Sequence, residues 1–249
     1  ALTQAYDELE EAEKSKSRYV MSVVHDLKTP IAAVLTYLNM LLEGTLGEMK
    51  SEHIRPLERS KMRLNAAITM INDVLYISQL KLGIEQDERK IVNIIDIMDE
   101  IYQDTRVLLN SKNLDYKLDD RTGGNAAIRG EARLLKLALG NLMSNSIKYT
   151  PAGGRIEVII EQMEHSLRII VADTGIGIPE AEQNKIFQDF YRSSISKKSG
   201  AEGTGLGMSI VQQIAGRHNG TVSVKSPSRL ESGEDTPGSE FILTFPGTT

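Results

Sequence analysis

The chain has 249 residues, 40% hydrophobic and 25% charged, a globular make-up long enough for one large domain or two ordinary ones. A net charge of -5 leaves no basic excess to meet phosphates, which argues against nucleic-acid binding as a main role. Cysteine is absent, so disulfides and thiolate metal sites are excluded, and a reducing compartment fits. No apolar run approaches the ~20 residues a membrane helix needs, and no signal peptide opens the chain. The chain begins at Ala1 inside a helical pattern and reads as a fragment whose upstream part is missing.

Residues 1–44 are expected to form one helix. Leu2, Ala5, Leu9 and Ala12 give a thin apolar seam, a coiled-coil-like lead-in over residues 1–18. From Tyr19 the apolar face widens through Val20, Val23, Val24, Leu27, Ile31, Val34, Leu35, Leu38, Leu41 and Leu42. That width suits a four-helix bundle better than a two-stranded coil. The periodicity runs straight through Pro30, which would normally break it. Just before the proline stand His25, Asp26 and Thr29. Alone, a histidine and an acid in a helix form an ordinary polar stretch. Gly44 and Gly47 close the helix, and a second runs from about Ser51 to Leu82, with Pro56 in its first turns. A two-helix hairpin cannot bury two wide apolar stripes by itself. The simplest solution is a homodimer in which two hairpins of residues 1–84 form a four-helix bundle.

The pattern changes near Gly83. Asp87-Glu88-Arg89-Lys90 reads as a charged turn or edge strand. Asn93 is positioned to cap a helix carrying Ile94, Ile97, Ile101 and Leu108 at helical spacing. Leu114–Leu118 alternates like a strand. Glu131–Tyr149 reads as a helix stopped by Thr150-Pro151-Ala152-Gly153-Gly154. Arg155–Met163 and Leu167–Asp173 are expected to form a hairpin, with Ile156, Val158 and Ile160, then Leu167, Ile169 and Val171, on one face. A short helix is expected over Glu180–Tyr191, a polar lid over about 179–208, a helix over Gly205–His218, and strands at Thr221–Lys225 and Glu240–Phe245. The fold class is α+β: a helical hairpin over 1–84, then a two-layer α/β sandwich over 85–249.

Three elements of the second region point to chemistry. Asn141, Asn145 and Lys148 fall at i, i+4 and i+7, on one helical face. Two amides and an ammonium suit a metal–polyphosphate ligand; a polar outer face would look the same. Asp173-Thr174-Gly175-Ile176-Gly177 follows a strand, where the carboxylate could accept from an exocyclic amine; an ordinary strand-to-loop turn is the alternative. Gly203-Thr204-Gly205-Leu206-Gly207 opens a helix, whose amides would suit phosphate, or is a linker before a glycine-opened helix. It matches neither the dinucleotide fingerprint nor the P-loop. His53, His165 and His218 read as structural or solvent-exposed.

In order and spacing these stretches resemble the sensor histidine kinases of two-component systems, over nearly the whole chain. His25-Asp26-Leu27-Lys28-Thr29-Pro30 is similar to that family's phosphoacceptor box. Asn141–Tyr149 is similar to its asparagine box and Asp173–Pro179 to its first glycine box. Phe187-Gln188-Asp189-Phe190-Tyr191-Arg192 is similar to its phenylalanine box and Gly203–Gly207 to its second glycine box. The resemblance implies a dimerisation and phosphotransfer hairpin followed by a Bergerat-type ATP-binding domain. It implies ATP and Mg2+ as cofactors, with His25 as the phosphorylated nucleophile and Asp26 beside it to take or orient the proton on the other ring nitrogen. Thr29 either caps the turn at Pro30 or, with Asp26 in a catalytic role, positions water for dephosphorylating the regulator. Arg192 would stabilise charge on the transferred group. Asp173 would bind the adenine amine and Asn145 would hold Mg2+. Asn141, Lys148, Tyr149, Gly175, Gly177, Gly203, Gly205, Leu206 and Gly207 would line the nucleotide. The implied partner is a response regulator receiver domain, and the implied location is cytoplasmic, with membrane contact only through the missing upstream region. Ser146 stands where the family commonly has alanine, a change expected to matter little. The competing readings are an ATPase of the chaperone or DNA-repair kind, which would not need His25, and an ATP-binding scaffold that docks a regulator without transferring phosphate.

Overall fold

A computed structural model describes residues 2–47, 49–82, 89–198, 203–230 and 236–247. The chain divides into two compact units, Ala1–Gln86 and Asp87–Thr249, where the sequence suggested a boundary at residue 84. The expected charged turn at Asp87-Glu88 lies outside the described residues, as do residues 199–202 of the expected lid.

The first unit is a pair of long helices, α1 (Leu2–Leu42) and α2 (Ser51–Leu82), packed against each other. At 1.5 Å per residue α1 is about 60 Å long. It continues through Pro30. Gly44 and Gly47, both in the left-handed region, turn the chain after it. Val24 and Leu38 are buried between the helices, while Tyr19, Leu27, Val34, Tyr37 and Met62 are exposed.

The second unit opens with β1 (Lys90–Asn93) and α3 (Ile94–Ser111). The Asn93 side chain accepts from the Ile95 N–H at 3.0 Å, the expected cap. Leu109, not Leu108, is the buried leucine near the end of α3; Leu108 faces solvent. Then follow β2 (Asp115–Asp120), β3 (Ala127–Gly130), which the sequence reading did not anticipate, and α4 (Ala132–Tyr149). β3 pairs antiparallel with β1 as a separate two-stranded sheet. β4 (Arg155–Gln162) and β5 (Ser166–Asp173) form the expected hairpin. The expected helix over Glu180–Tyr191 shrinks to α5 (Glu180–Gln183), followed by turns and then α6 (Ser194–Lys198). Phe190 takes φ 63°, which no helix tolerates. α7 (Gly207–Arg217), β6 (Thr221–Lys225) and β7 (Ser239–Pro246) complete the unit.

The main sheet has the order β2-β4-β5-β7-β6. β2 and β4 are parallel, joined by a crossover through β3 and α4; the other neighbours are antiparallel. α4 packs against both α3 and α7. Leu134, Leu135, Leu142 and Met143 on α4 are fully buried, as are Ile156, Val158, Ile169 and Val171 on the sheet. The opposite sheet face is not bare. Ile159, Ile170 and Ala172 form a second small core with Leu230, against which Ile242 packs. The central strands are therefore apolar on both faces, which is why their period-2 pattern is blurred.

Candidate nucleotide site

Asp173 ends β5, and the strand register sets it opposite Ser239 on β7. It is only 2% exposed. Its Oδ1 accepts from the N–H groups of Gly175 at 2.9 Å and Ser239 at 3.2 Å. Its Oδ2 accepts from the hydroxyls of Ser239 at 2.8 Å and Ser146 at 3.2 Å. Burial pushes the carboxyl above the usual aspartate range, and these four donors pull it partly back. Ser146 thus touches the carboxylate, a contact that nothing in the local sequence marks.

The glycine loop after Asp173 folds back onto the end of α4. Gly175 lies against the Tyr149 carbonyl, which accepts from the Ile176 N–H at 3.3 Å. Gly177 lies against Pro237 and the Ser226 hydroxyl. Gly238, at φ 69°, donates its N–H to the Gly175 carbonyl at 2.9 Å. A Cβ on Gly238 would lie 2.1 Å from the Asp173 carbonyl oxygen, so only glycine fits there. Lys112 braces the same place from below. Its ammonium donates to the carbonyls of Ile147, Lys148 and Thr150 at 2.7, 3.1 and 3.1 Å, satisfying the last turn of α4.

The polar row of α4 runs along the second glycine loop. The Asn141 amide donates back to the Leu137 carbonyl at 3.0 Å, and its Oδ1 lies beside Gly207. Lys148 Nζ lies beside Gly203 and 4.8 Å from the centre of the Tyr149 ring. Asn145 stands between them, half-buried. Within the loop Thr204 accepts from the Leu206 N–H at 3.1 Å, and Leu206 is buried where α7 begins. Gly205, at φ 75°, packs on the backbone of Phe190 and Tyr191: a Cβ there would lie 2.7 Å from the Phe190 carbonyl carbon. The second glycine loop is therefore seated on the phenylalanine-rich turn. Arg192, half-buried, reaches the Ser196 carbonyl in α6 at 3.4 Å. Lys197 and Lys198 end α6 in exposed positions.

His25, Asp26 and Thr29 sit on α1 in the other unit, within one turn; Asp26 and Thr29 are exposed, and the His25 side chain lies outside the described residues. Among the described residues no three His, Cys, Asp or Glu side chains cluster to cage a metal. A hard divalent ion would take its ligands from the Asn145 amide oxygen, from water and from the phosphates it accompanies, which is how Mg2+ is commonly held. The donor set fits.

Of the groups expected from sequence, the structure brings together Asn141, Asn145, Lys148, Tyr149, Asp173 and both glycine loops. Missing from that set were Ser146, Ser239, Gly238 and Lys112. Gly238-Ser239 directly before the alternating Phe241, Leu243 and Phe245 was a readable turn-to-strand signal. Nothing local marked Lys112. His218 is buried at the end of α7: its Nε2 accepts from the Glu131 N–H at 3.0 Å, and its Nδ1 donates to the Ile214 carbonyl at 2.8 Å. This holds the start of α4 against α7.

Residues 130–249 match the family described as histidine kinase-, DNA gyrase B-, and HSP90-like ATPase, and residues 15–83 match the His Kinase A (phospho-acceptor) domain. The chain is 26% identical over 240 residues to the sensor histidine kinase CusS of Escherichia coli (strain K12), covering 96% of this chain and 47% of CusS. It thus spans about half the length of that relative. Full-length ShkA, solved in complex with AMPPNP, shares the fold at a TM-score of 0.74 and 20% identity, over 93% of this chain and 46% of ShkA. Histidine kinase ThkA, solved with the response regulator protein TrrA, does so at a TM-score of 0.60 and 22% identity, over 97% of this chain and 67% of that one.

Proposed function

The chain belongs to the sensor histidine kinases of two-component systems, and from that premise we propose that it phosphorylates its own His25 with ATP and passes the phosphoryl group to an aspartate on a response regulator. Residues 1–84 would serve as the dimerisation and phosphotransfer domain, and residues 85–249 would bind ATP. The observation that carries this reading is the buried Asp173 carboxylate at one end of a polar row, Asn145 and Lys148, that runs beside a glycine loop opening α7. One end suits an exocyclic amine. The other offers an amide oxygen, an ammonium and the N-terminus of an 11-residue helix to a polyphosphate.

In this reading Asp173 accepts from the adenine amino group, and Tyr149, Gly175 and Gly177 bound the base. Asn141, Gly203, Gly205, Leu206 and Gly207 shape the phosphate loop, and Lys148 contributes its charge. Mg2+, held by Asn145, would neutralise charge on the triphosphate. A neutral imidazole has a free lone pair near pH 7. A ring nitrogen of His25 forms the N–P bond as the bond from the γ-phosphorus to the bridging oxygen breaks, releasing ADP. Asp26 takes or orients the proton on the other ring nitrogen. Arg192 steadies the charge of the group in transit. A lid over about 179–208 would close over the bound nucleotide. Thr29 and Asp26 would position water when the same bundle dephosphorylates its regulator.

The exposed Tyr19, Leu27, Val34 and Met62 support a second copy packed on the hairpin. ATP and a regulator as partners favour a cytoplasmic location. No helix among the described residues is long and apolar enough to cross a membrane, so any membrane contact would belong to other parts of a longer protein. Incubation with γ-labelled ATP and Mg2+ should place acid-labile phosphate on the chain, and a purified receiver domain should then remove it. Equal labelling of wild type and His25→Gln would overturn the role of His25.

A further inference from the structure

We propose that Ser146 competes with the ligand's exocyclic amine for Asp173, and so sets how tightly and how selectively the site holds an adenine nucleotide. The inference rests on the nucleotide reading of this site.

An ionised carboxylate offers about four acceptor positions. Asp173 has all four filled: the Gly175 and Ser239 N–H groups on Oδ1, the Ser239 and Ser146 hydroxyls on Oδ2. A ligand amine can bond this carboxylate only by displacing a donor. The two N–H groups cannot leave. One is fixed by the turn after β5, the other by the pairing of Asp173 with Ser239 across β5 and β7. The choice lies between two hydroxyls, which can rotate. Ser239 holds Oδ2 at 2.8 Å and Ser146 at 3.2 Å, so Ser146 makes the weaker bond. Ser146 also has somewhere to go. It lies inside α4, where a serine hydroxyl can turn back to the carbonyl four residues earlier, that of Leu142. Displacing it leaves no buried donor unpaired.

Ser146 thus takes the acceptor position the amine would need and helps satisfy a carboxylate that is 2% exposed. With nucleotide it must yield, and the cost of yielding is subtracted from binding. Ser146 is a positioning residue acting through Asp173. A purine with a carbonyl oxygen in place of the amine makes no such bond and gains nothing from removal of the hydroxyl.

The test is calorimetric titration of the 249-residue chain with ADP and with IDP, whose base carries that carbonyl, comparing wild type with Ser146→Ala. Alanine keeps the Cβ and is a strong helix former, and a thermal melt checks that the variant folds. ADP binding should tighten about three- to tenfold, the range of one ordinary hydrogen bond, while IDP affinity stays the same. The low-pH limit of ADP binding should move to higher pH, because Asp173 loses one donor that favours its charged form. Weaker ADP binding by the variant would make Ser146 a ligand contact and overturn the proposal. So would an unchanged ADP affinity, or equal shifts for ADP and IDP. If wild type binds neither nucleotide, the nucleotide reading itself falls; if wild type binds ADP and only the variant comparison fails, the role of Ser146 falls alone.

Discussion

The two units solve the burial problem in different ways. The Asp87–Thr249 unit encloses a continuous core between α3, α4, α7 and the main sheet, and adds a second small core on the far sheet face. The Ala1–Gln86 unit, among its described residues, buries fully only Val24, Leu38 and Ser78, and leaves large apolar side chains in solvent. A 60 Å hairpin has too much perimeter for its volume to do otherwise. One unit buries its core within one chain; the other leaves an apolar face that the proposed second copy would cover.

The strongest way to break this contrast is to charge the exposed row. Val34→Asp should turn the chain into a monomer in analytical ultracentrifugation and abolish the cooperative melting of the hairpin, while the melting transition of the 87–249 unit stays in place. A variant that remains fully dimeric would show that the row is not the contact.

Next in size is the packing of the second glycine loop. Gly205→Ala places a Cβ against the Phe190 backbone at a φ that side chains avoid. It should cost about 2–4 kcal/mol in chemical denaturation and remove most nucleotide binding, with the dimer intact. Lys112→Met comes third. Losing three bonds to the end of α4 should cost about 1–3 kcal/mol and weaken nucleotide binding only a few-fold.

The smallest effect is a pH dependence confined to the second unit. Burial, helped by the nearby Arg89 and Arg217, holds His218 below the usual imidazole range, against the opposing pull of the Ile214 carbonyl and Glu131. The unfolded chain therefore takes up this proton first. The stability that neutral His218 contributes is complete above about pH 6.5 and declines as pH falls toward its lower folded value, by at most ~1.4 kcal/mol per pH unit. Asp173 has the opposite sign: its raised folded value favours the folded state as pH falls toward the ordinary carboxylate range. The melting temperature of wild type should drop between pH 7 and pH 5.5 more steeply than that of His218→Gln. Parallel slopes would remove His218 as the cause.

Much of this molecule is legible in its sequence, because its helices are long and strongly periodic. The bounds of α1 and α2, the Asn93 cap and the β4–β5 hairpin follow from spacing and capping chemistry that act within a few residues. The row Asn141, Asn145, Lys148 was legible for the same reason, since a helix fixes which residues share a face. The helix expected over Glu180–Tyr191 ends at Gln183, and at the far end of that stretch the backbone of Phe190 and Tyr191 seats Gly205, a contact with no local signature.

What sequence alone determined was therefore the set of elements, the apolar stripe that asks for a partner, and the residue types available for chemistry. Only the tertiary structure decided what those residues meet. It set Ser239 across from Asp173 by strand register, brought the Ser146 hydroxyl to the same oxygen, placed Lys112 under the end of α4, and laid Leu230 over the far sheet face. These contacts join positions tens of residues apart. They exist only once the core has closed, because local propensity reaches a few residues and packing reaches across the whole unit.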